Sequence, residues 1–170
     1  MAIDKKMEQA FNEQINKEYY SEYLYMLMKA HFAEMNLNGF VNWMNVQMQE
    51  EKAHAEGMYD YVLRRGGHIE LYAIDKPELK GSTPVEIFRQ ILEHEEYVTS
   101  RINHVMDVAD EVKDRAALSF LNWYIKEQVE EEENVGGVLA TLELIGEDKQ
   151  ALLSLDKELA QRIFNQPVIE

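Results

Sequence analysis

The sequence predicts an all-α protein: a four-helix bundle with one long crossover between its second and third helices, and a short fifth helix after it. Three observations lead there. Apolar residues recur at three- and four-residue steps through four long stretches, the period of a helix with one buried face. The three prolines fall outside those stretches, so no helix is broken from within. One gap, residues 66–82, is too long for a turn; its 17 residues reach up to about 56 Å extended, more than the roughly 40 Å of the helix before it. The gap can therefore return along the whole bundle. Length suits a single domain over residues 1–170, with the bundle at about 4–146 and the fifth helix at about 149–164.

The first helix is expected from Asp4, a suitable N-cap, to about Glu34. Phe11, Glu18, Tyr25 and Phe32 form a seven-residue row on it, flanked by Met7 and Ile15. Tyr19, Tyr20, Tyr23 and Tyr25 cannot all face one core, so some of them are expected to meet another subunit. Asn36-Leu37-Asn38-Gly39 is short enough to make the second helix an antiparallel neighbour of the first. That helix runs to about Arg65, where Gly66-Gly67 ends it. Phe40, Met44, Gln47, Met48, Ala55, Met58 and Val62 mark its inward stripe.

The third helix starts at Ser82 or Thr83, with Pro84 in its first turn and Glu86 placed for a capping box with Thr83. Val85, Phe88, Ile91, Leu92, Val98, Ile102, Val105, Met106 and Ala109 are its stripe. A link near residues 110–114 leads to the fourth helix, which ends near Gly146. Leu118, Leu121, Tyr124, Ile125, Val135, Val138, Leu139, Leu142 and Ile145 face inward there, and Gly136-Gly137 suggests a kink or a close contact. The fifth helix carries Leu152, Leu155, Leu159 and Ile163 on one side; alone it is too short to be stable, so it must dock.

Charged and polar residues interrupt these stripes at one height. On the second helix Glu51 and His54 lie three apart and face the same way, Glu51 midway between Met44 and Met58. Glu18 stands in the first helix's row, and Glu95 sits seven from both Phe88 and Ile102. Gln128 and Glu131 lie seven after Leu121 and Tyr124. With a rise of about 1.5 Å per residue, Glu18, Glu51, His54, Glu95, Gln128 and Glu131 all reach the middle of the bundle. Four carboxylates cannot stay ionised together in an apolar core without cations. Oxygen donors with one imidazole suit iron, manganese or zinc, and a shared Glu between two ions is the usual di-metal device. There is no cysteine, which removes disulfides, thiolate sites and iron–sulfur clusters.

With Glu18 and Tyr25, Glu51-Lys52-Ala53-His54, Glu95, and Gln128-Val129-Glu130-Glu131 in place, the chain closely resembles the bacterial non-haem ferritins over nearly its whole length. The resemblance implies a ferritin-like fold and an iron store with ferroxidase activity: Fe(II) oxidised by dioxygen or hydrogen peroxide at a di-iron centre. The ferric product would be kept as a mineral in a hollow homo-oligomer of 24 subunits. It assigns one iron to Glu18, Glu51 and His54, the other to Glu51, Glu95 and Glu131. It puts Gln128 near the second iron or bound oxygen. Tyr25 is an electron donor by the resemblance or a core aromatic by its position. Position 52 is Lys where haem-binding relatives carry a methionine ligand, and a second Glu-x-x-His is missing at 128–131, so no haem is expected.

Glu50, Glu127 and Glu130 sit one residue away from members of the constellation, about 100° around their helices. If those flanks face each other they can gather with Glu131 around a third cation, as the resemblance also implies. Two other readings compete: a di-metal oxidase acting on an organic substrate or peroxide, and a structural bundle without metal. The formal charge of −15, from 32 acidic and 17 basic residues, argues against nucleic acid and anionic membrane and favours cations. The N-terminus lacks the apolar core of a signal peptide and no run approaches a transmembrane length, so a cytoplasmic protein is expected.

Overall fold

The computed structural model describes residues 2–169. Five helices follow in order: α1 Lys5–Glu34, α2 Asn38–Arg64, α3 Pro84–Glu111, α4 Arg115–Ile145 and α5 Lys149–Leu159. α1 and α2 form one antiparallel pair, α3 and α4 the other, and α1 packs on α3 across the bundle. Among the described residues no helix is long and apolar enough to cross a membrane.

Caps fix where each helix begins. Asp4 accepts a hydrogen bond from the Lys6 amide at 2.8 Å, and Asp114 one from the Ala117 amide at 3.0 Å. Thr83, not Ser82, caps α3, and Glu86 completes the capping box. Helix ends are closed by residues with positive φ: Asn36 (58°), Gly66 (69°), Lys113 (59°) and Gly146 (57°). α2 is the exception at its start. Its N-cap Leu37 offers no side-chain acceptor. Asp156 of α5 supplies one instead, accepting from the Gly39 amide at 2.7 Å and the Phe40 amide at 3.1 Å.

The crossover runs the length of the bundle, as its length allowed. Asn12 pairs with the backbone of His68 and Glu70, and Asn16 donates to the Ala73 carbonyl. Gln90 holds the backbone of Glu78 and Lys80, each at 2.8 Å. At the far end the His31 ring hydrogen-bonds the Ser82 carbonyl at 2.8 Å, so α3 starts beside the end of α1. Phe88 then packs on Trp43 (ring centroids 5.1 Å apart), which sets the first turns of α2 and α3 side by side.

The core is in two parts. One gathers Met7, Phe11, Ile15, Met58, Val62, Val98, Ile102, Val105, Phe120 and Leu121. The other gathers Met28, Phe32, Phe40, Met44, Ile87, Phe88, Ile91, Val135, Leu139 and Leu142. Ile87 and Phe120 are buried although neither stands in the stripes read from the sequence. Met48, Val85, Leu92, Met106, Leu118, Ile125, Val138 and Ile145 are only partly covered.

One expectation needs correction. α5 ends at Leu159, not near residue 164, and Ile163 is 76% exposed. The cause is on α2: the Asn42 side-chain amide donates to the carbonyls of Leu159, Ala160 and Arg162 and turns the chain back along that helix. Of the kink or close contact expected at Gly136-Gly137, the close contact is absent among the described residues. α4 is continuous through it, and no atom of the chain would touch a Cβ at either position.

Gly39 does make a close contact. A Cβ there would collide with the backbone carbonyl of Asp156. Gly39→Ala is therefore expected to lift α5 off α2 and cost about 1–3 kcal/mol. Asp156→Ala, which only removes the cap, should cost about 1 kcal/mol. Melting curves, with hydrogen exchange of residues 149–159 to locate the loss, check both; wild-type protection of α5 in Gly39→Ala would contradict this account.

Candidate metal centre

The polar layer between the two cores is the constellation read from the sequence. Glu18, Glu51, His54, Glu95, Gln128 and Glu131 are each at most 5% exposed. They come from all four long helices, because the short α1–α2 and α3–α4 links and the full-length crossover bring these positions to one level. One donor atom each from Glu18, Glu51 and His54 lies within 4.8 Å of the others, and so does one each from His54, Glu127 and Glu131. His54 Nδ1 is 3.7 Å from Glu51 and Nε2 is 3.9 Å from Glu127.

Glu95 stands on the other side of the layer. Its carboxylate accepts the Tyr25 hydroxyl hydrogen bond and one from the Gln128 amide at 3.3 Å. Gln128 also reaches Thr99 Oγ1 at 3.2 Å, and Thr99 donates to Glu132 at 2.6 Å. Tyr25 is fully buried. The grouping thus differs from the ligand set the resemblance implied: Glu51, Glu95 and Glu131 do not gather as one cluster among the described residues, His54 and Glu127 crowd Glu131, and Tyr25 and Gln128 hold the carboxyl of Glu95.

Side chains not singled out as site residues complete the layer. Gln14, one helical turn before Glu18, donates to it at 2.8 Å. Gln47, one turn before Glu51, donates across the bundle to Glu131 at 3.0 Å. Both glutamines are fully buried. Tyr124 donates to the His54 carbonyl at 2.8 Å, and Trp123 packs edge-on to the His54 ring (5.4 Å between centroids). A glutamine inside an apolar stripe was the available signal. Gln47 showed it, without a role.

Of the three flanking acids, only Glu127 joins a cluster; it is half-buried. Glu50 is partly buried and bound by Arg162 at 2.7 Å. Glu130 is exposed.

The layer is short of positive charge. No Lys or Arg pairs with Glu18, Glu51, Glu95 or Glu131 among the described residues; His54 alone approaches them. Burial, and then the charge of Glu131, push the Glu95 carboxyl up to about 8. Burial and the charge of Glu95 hold Glu51 well above the usual carboxylate range. Glu18 is raised by burial, with the nearby His54 opposing it. Glu18 Oε2 and His54 Nε2 are buried with no hydrogen-bond partner. Unsatisfied acceptors and reluctant carboxylates of this kind fit a divalent cation, which replaces their protons.

Such a layer inside such a bundle defines a carboxylate-rich metal-binding four-helix protein. The comparisons narrow the class. The ferritin-like domain family matches residues 8–145. A bacterial non-heme ferritin of Staphylococcus aureus (strain USA300) is 37% identical over 164 residues, covering 96% of this chain and 99% of that protein. One from Bacteroides fragilis (strain 638R) is 36% identical over 160 residues, covering 94% and 99%. Among solved structures, an open pore ferritin from the archaeon Archaeoglobus fulgidus superposes with a TM-score of 0.93 at 48% identity, covering 95% of this chain and 98% of that one. An engineered closed form of that ferritin gives 0.95 at 48% identity, covering 96% and 100%. The chain belongs to the ferritin family.

The electrostatics predict a pH dependence for the chelator-treated protein. Glu95 ionises near 4.5 when unfolded and near 8 when folded, so unfolding releases a proton between those values. Below pH 4.5 this carboxyl costs nothing; the cost grows as pH rises and is complete above pH 8. The melting temperature should therefore fall from pH 5 to 8, by about 2–4 °C per kcal/mol for a chain of this size. Zn(II) should restore it in wild type and less in a Glu95→Ala, Glu131→Ala double variant. Equal restoration in both would show that the metal acts elsewhere.

Proposed function

We infer that this chain is an iron-storage ferritin which takes up Fe(II) at the buried layer, oxidises it there and passes it to a mineral held inside a protein shell. The whole chain would act as one ferritin-like domain. The observation that carries the reading is the layer itself: Glu18, Glu51, His54, Glu95 and Glu131, buried together without basic partners.

Two Fe(II) are bound as substrates, one by Glu18, Glu51 and His54, the other by Glu51, Glu95 and Glu131. Four carboxylates balance the four positive charges of two Fe(II), which is why this many acids suit a buried pair. Binding displaces the protons that Glu51 and Glu95 otherwise keep. Gln14 and Gln47 hold Glu18 and Glu131 in place through their amides. His54 offers a ring nitrogen, and Tyr124 and Trp123 fix its position.

Each Fe(II) gives one electron. A pair reduces dioxygen to the peroxide level, or hydrogen peroxide and two protons to two waters. Tyr25, whose hydroxyl donates to Glu95, would lend an electron. Oxidation leaves two positive charges in excess of the four carboxylates. Water-derived hydroxide or oxide must neutralise them, so hydrolysis and departure follow from the charge balance.

A third cation would sit among Glu50, Glu127, Glu130 and one oxygen of Glu131. No haem takes part. Self-association into a hollow shell of 24 subunits is supported by the open pore and closed form named for the archaeal relative. It is also supported by exposed apolar surface along α1 and the crossover: Tyr23 at 46%, Leu71 at 71% and Ile74 at 44%. Of the four tyrosines of α1, Tyr25 is buried, Tyr19 and Tyr20 are partly covered, and Tyr23 is the one left for a neighbour. The net charge of −15 suits a cation store in the cytoplasm.

Glu51→Ala should abolish rapid Fe(II) oxidation, since Glu51 touches both irons; stopped-flow absorbance on mixing with aerobic Fe(II) reads it, and a wild-type initial rate would sink the assignment. For the third position, crystals soaked anaerobically in Fe(II) should show three anomalous peaks per subunit at the iron edge. Two peaks at saturating iron, with none near Glu50, Glu127 and Glu130, would refute it.

A further inference from the structure

Beyond α5 the chain does not leave the bundle. Asn42 grips the carbonyls of Leu159, Ala160 and Arg162. Further on, Ile169 rests against Gly57, where a Cβ would stand 2.8 Å from its Cδ1 and 2.7 Å from the Tyr124 hydroxyl. Residues 160–169 thus form a strap along α2, from Asn42 past the level of Glu50 to Gly57, on the side where α4 presents Tyr124. Both ends of the strap are pinned by α2.

Between those ends it delivers Arg162. Its guanidinium donates to Glu50 at 2.7 Å and lies 4.6 Å over the ring of Trp43. Only 21% of the Arg162 side chain and 19% of the Glu50 side chain remain exposed. The second guanidinium nitrogen, Nη1, is buried with no hydrogen-bond partner. A buried cationic donor without an acceptor is costly, and surfaces rich in acid rarely leave one. Glu127 and Glu131 are near enough that their charges act on Glu50, and Arg162 acts on Glu127. The guanidinium therefore binds one of the carboxylates assigned above to a third cation, and its charge acts on a second, Glu127.

We propose that Arg162 is the chain's own counter-cation at the third metal position, so that a third ion binds only by displacing the guanidinium and loosening the strap that carries it. The inner pair, held by Glu18, Glu51, His54, Glu95 and Glu131, involves no residue that Arg162 binds and fills without moving it. Arg162 is in this sense a specificity-determining residue: it separates two tight ions from a weak third. Cation–π stacking on Trp43 and the Asn42 grip favour the bound strap. A multivalent ion on Glu50 favours release.

The inference rests on the metal-centre reading above, and the experiment keeps the two apart. The assembled protein is titrated calorimetrically with Zn(II), and hydrogen exchange of residues 160–169 is followed at two and at three equivalents. Wild type should bind two ions tightly and a third weakly, and the strap should lose protection only at the third. Arg162→Gln should tighten the third ion at least about tenfold; Arg162→Lys, which keeps the charge, should stay near wild type. Glu50→Gln placed in the Arg162→Gln chain should remove that third ion. A third Kd unchanged within twofold in Arg162→Gln, or strap protection unchanged as the third ion binds to wild type, overturns the displacement. If Glu51→Ala retains both tight ions, the metal-centre reading fails and takes this inference with it.

Discussion

The bundle is built around a destabilising layer. Four carboxyls and an imidazole lie between two apolar cores, where ordinary packing would place leucines. Burial drives the protonation of Glu18, Glu51 and Glu95, and the charges of neighbouring acids add to it. Everything close to the layer compensates. Gln14 and Gln47 donate from fully buried amides, Tyr25 and Gln128 steady Glu95, and the cores above and below supply the apolar burial that the layer forgoes. The layer is tolerable in metal-free protein because protons can replace cations. It becomes favourable once cations replace protons.

That constraint explains the topology. Buried acids from four helices share one level only if the helices begin in register, and two short links with one full-length crossover achieve this. The crossover is accordingly fastened at several points, by Asn12, Asn16 and Gln90. α2 carries two members of the layer, Glu51 and His54, and so tolerates least axial slippage. Its start is the one helix start capped from elsewhere in the chain, by Asp156, and its far end is tied by Arg65 to Asp114 at the start of α4. α5 is thus part of what positions the layer, although it supplies none of its residues.

What the sequence revealed and what it hid divide along physical lines. The helices, the crossover and the buried residues Glu18, Glu51, His54, Glu95, Gln128 and Glu131 were legible because periodicity reports burial, and buried acids are rare enough to stand out. Tyr25 was legible as a buried aromatic. The end of α5 was not, because Leu159 and Ile163 share a helical face and nothing local stops the helix. What stops it is Asn42, more than a hundred residues earlier. Gly136-Gly137 has no close neighbour among the described residues, so contacts within one chain do not explain the pair. Asp156 and Arg162 were invisible for the same reason as Asn42. Surface-type residues acquire roles through tertiary neighbours that no period encodes.

The two sides of the layer differ in a way that bears on transport. Toward α3 it is closed: Glu95 is completely buried, and Tyr25 behind it is sealed by Trp43. Toward the α2–α4 side burial falls in steps, from Glu131 at 2% to Glu127, whose side chain is 24% exposed, and then to exposed Glu130. Desolvation is the dominant cost of an ionised carboxylate here, so the preference for holding a highly charged cation without solvent weakens along that series. On the reading proposed above, an Fe(III) product with excess charge would be drawn toward water and hydroxide, and the acids would provide successive footholds in that direction. Arg162 stands beside this descent, bound to Glu50, where its charge opposes a cation. The same residues proposed for a third ion would then sit where holding it too firmly would slow the passage from oxidation to storage, and a displaceable guanidinium would keep that hold weak.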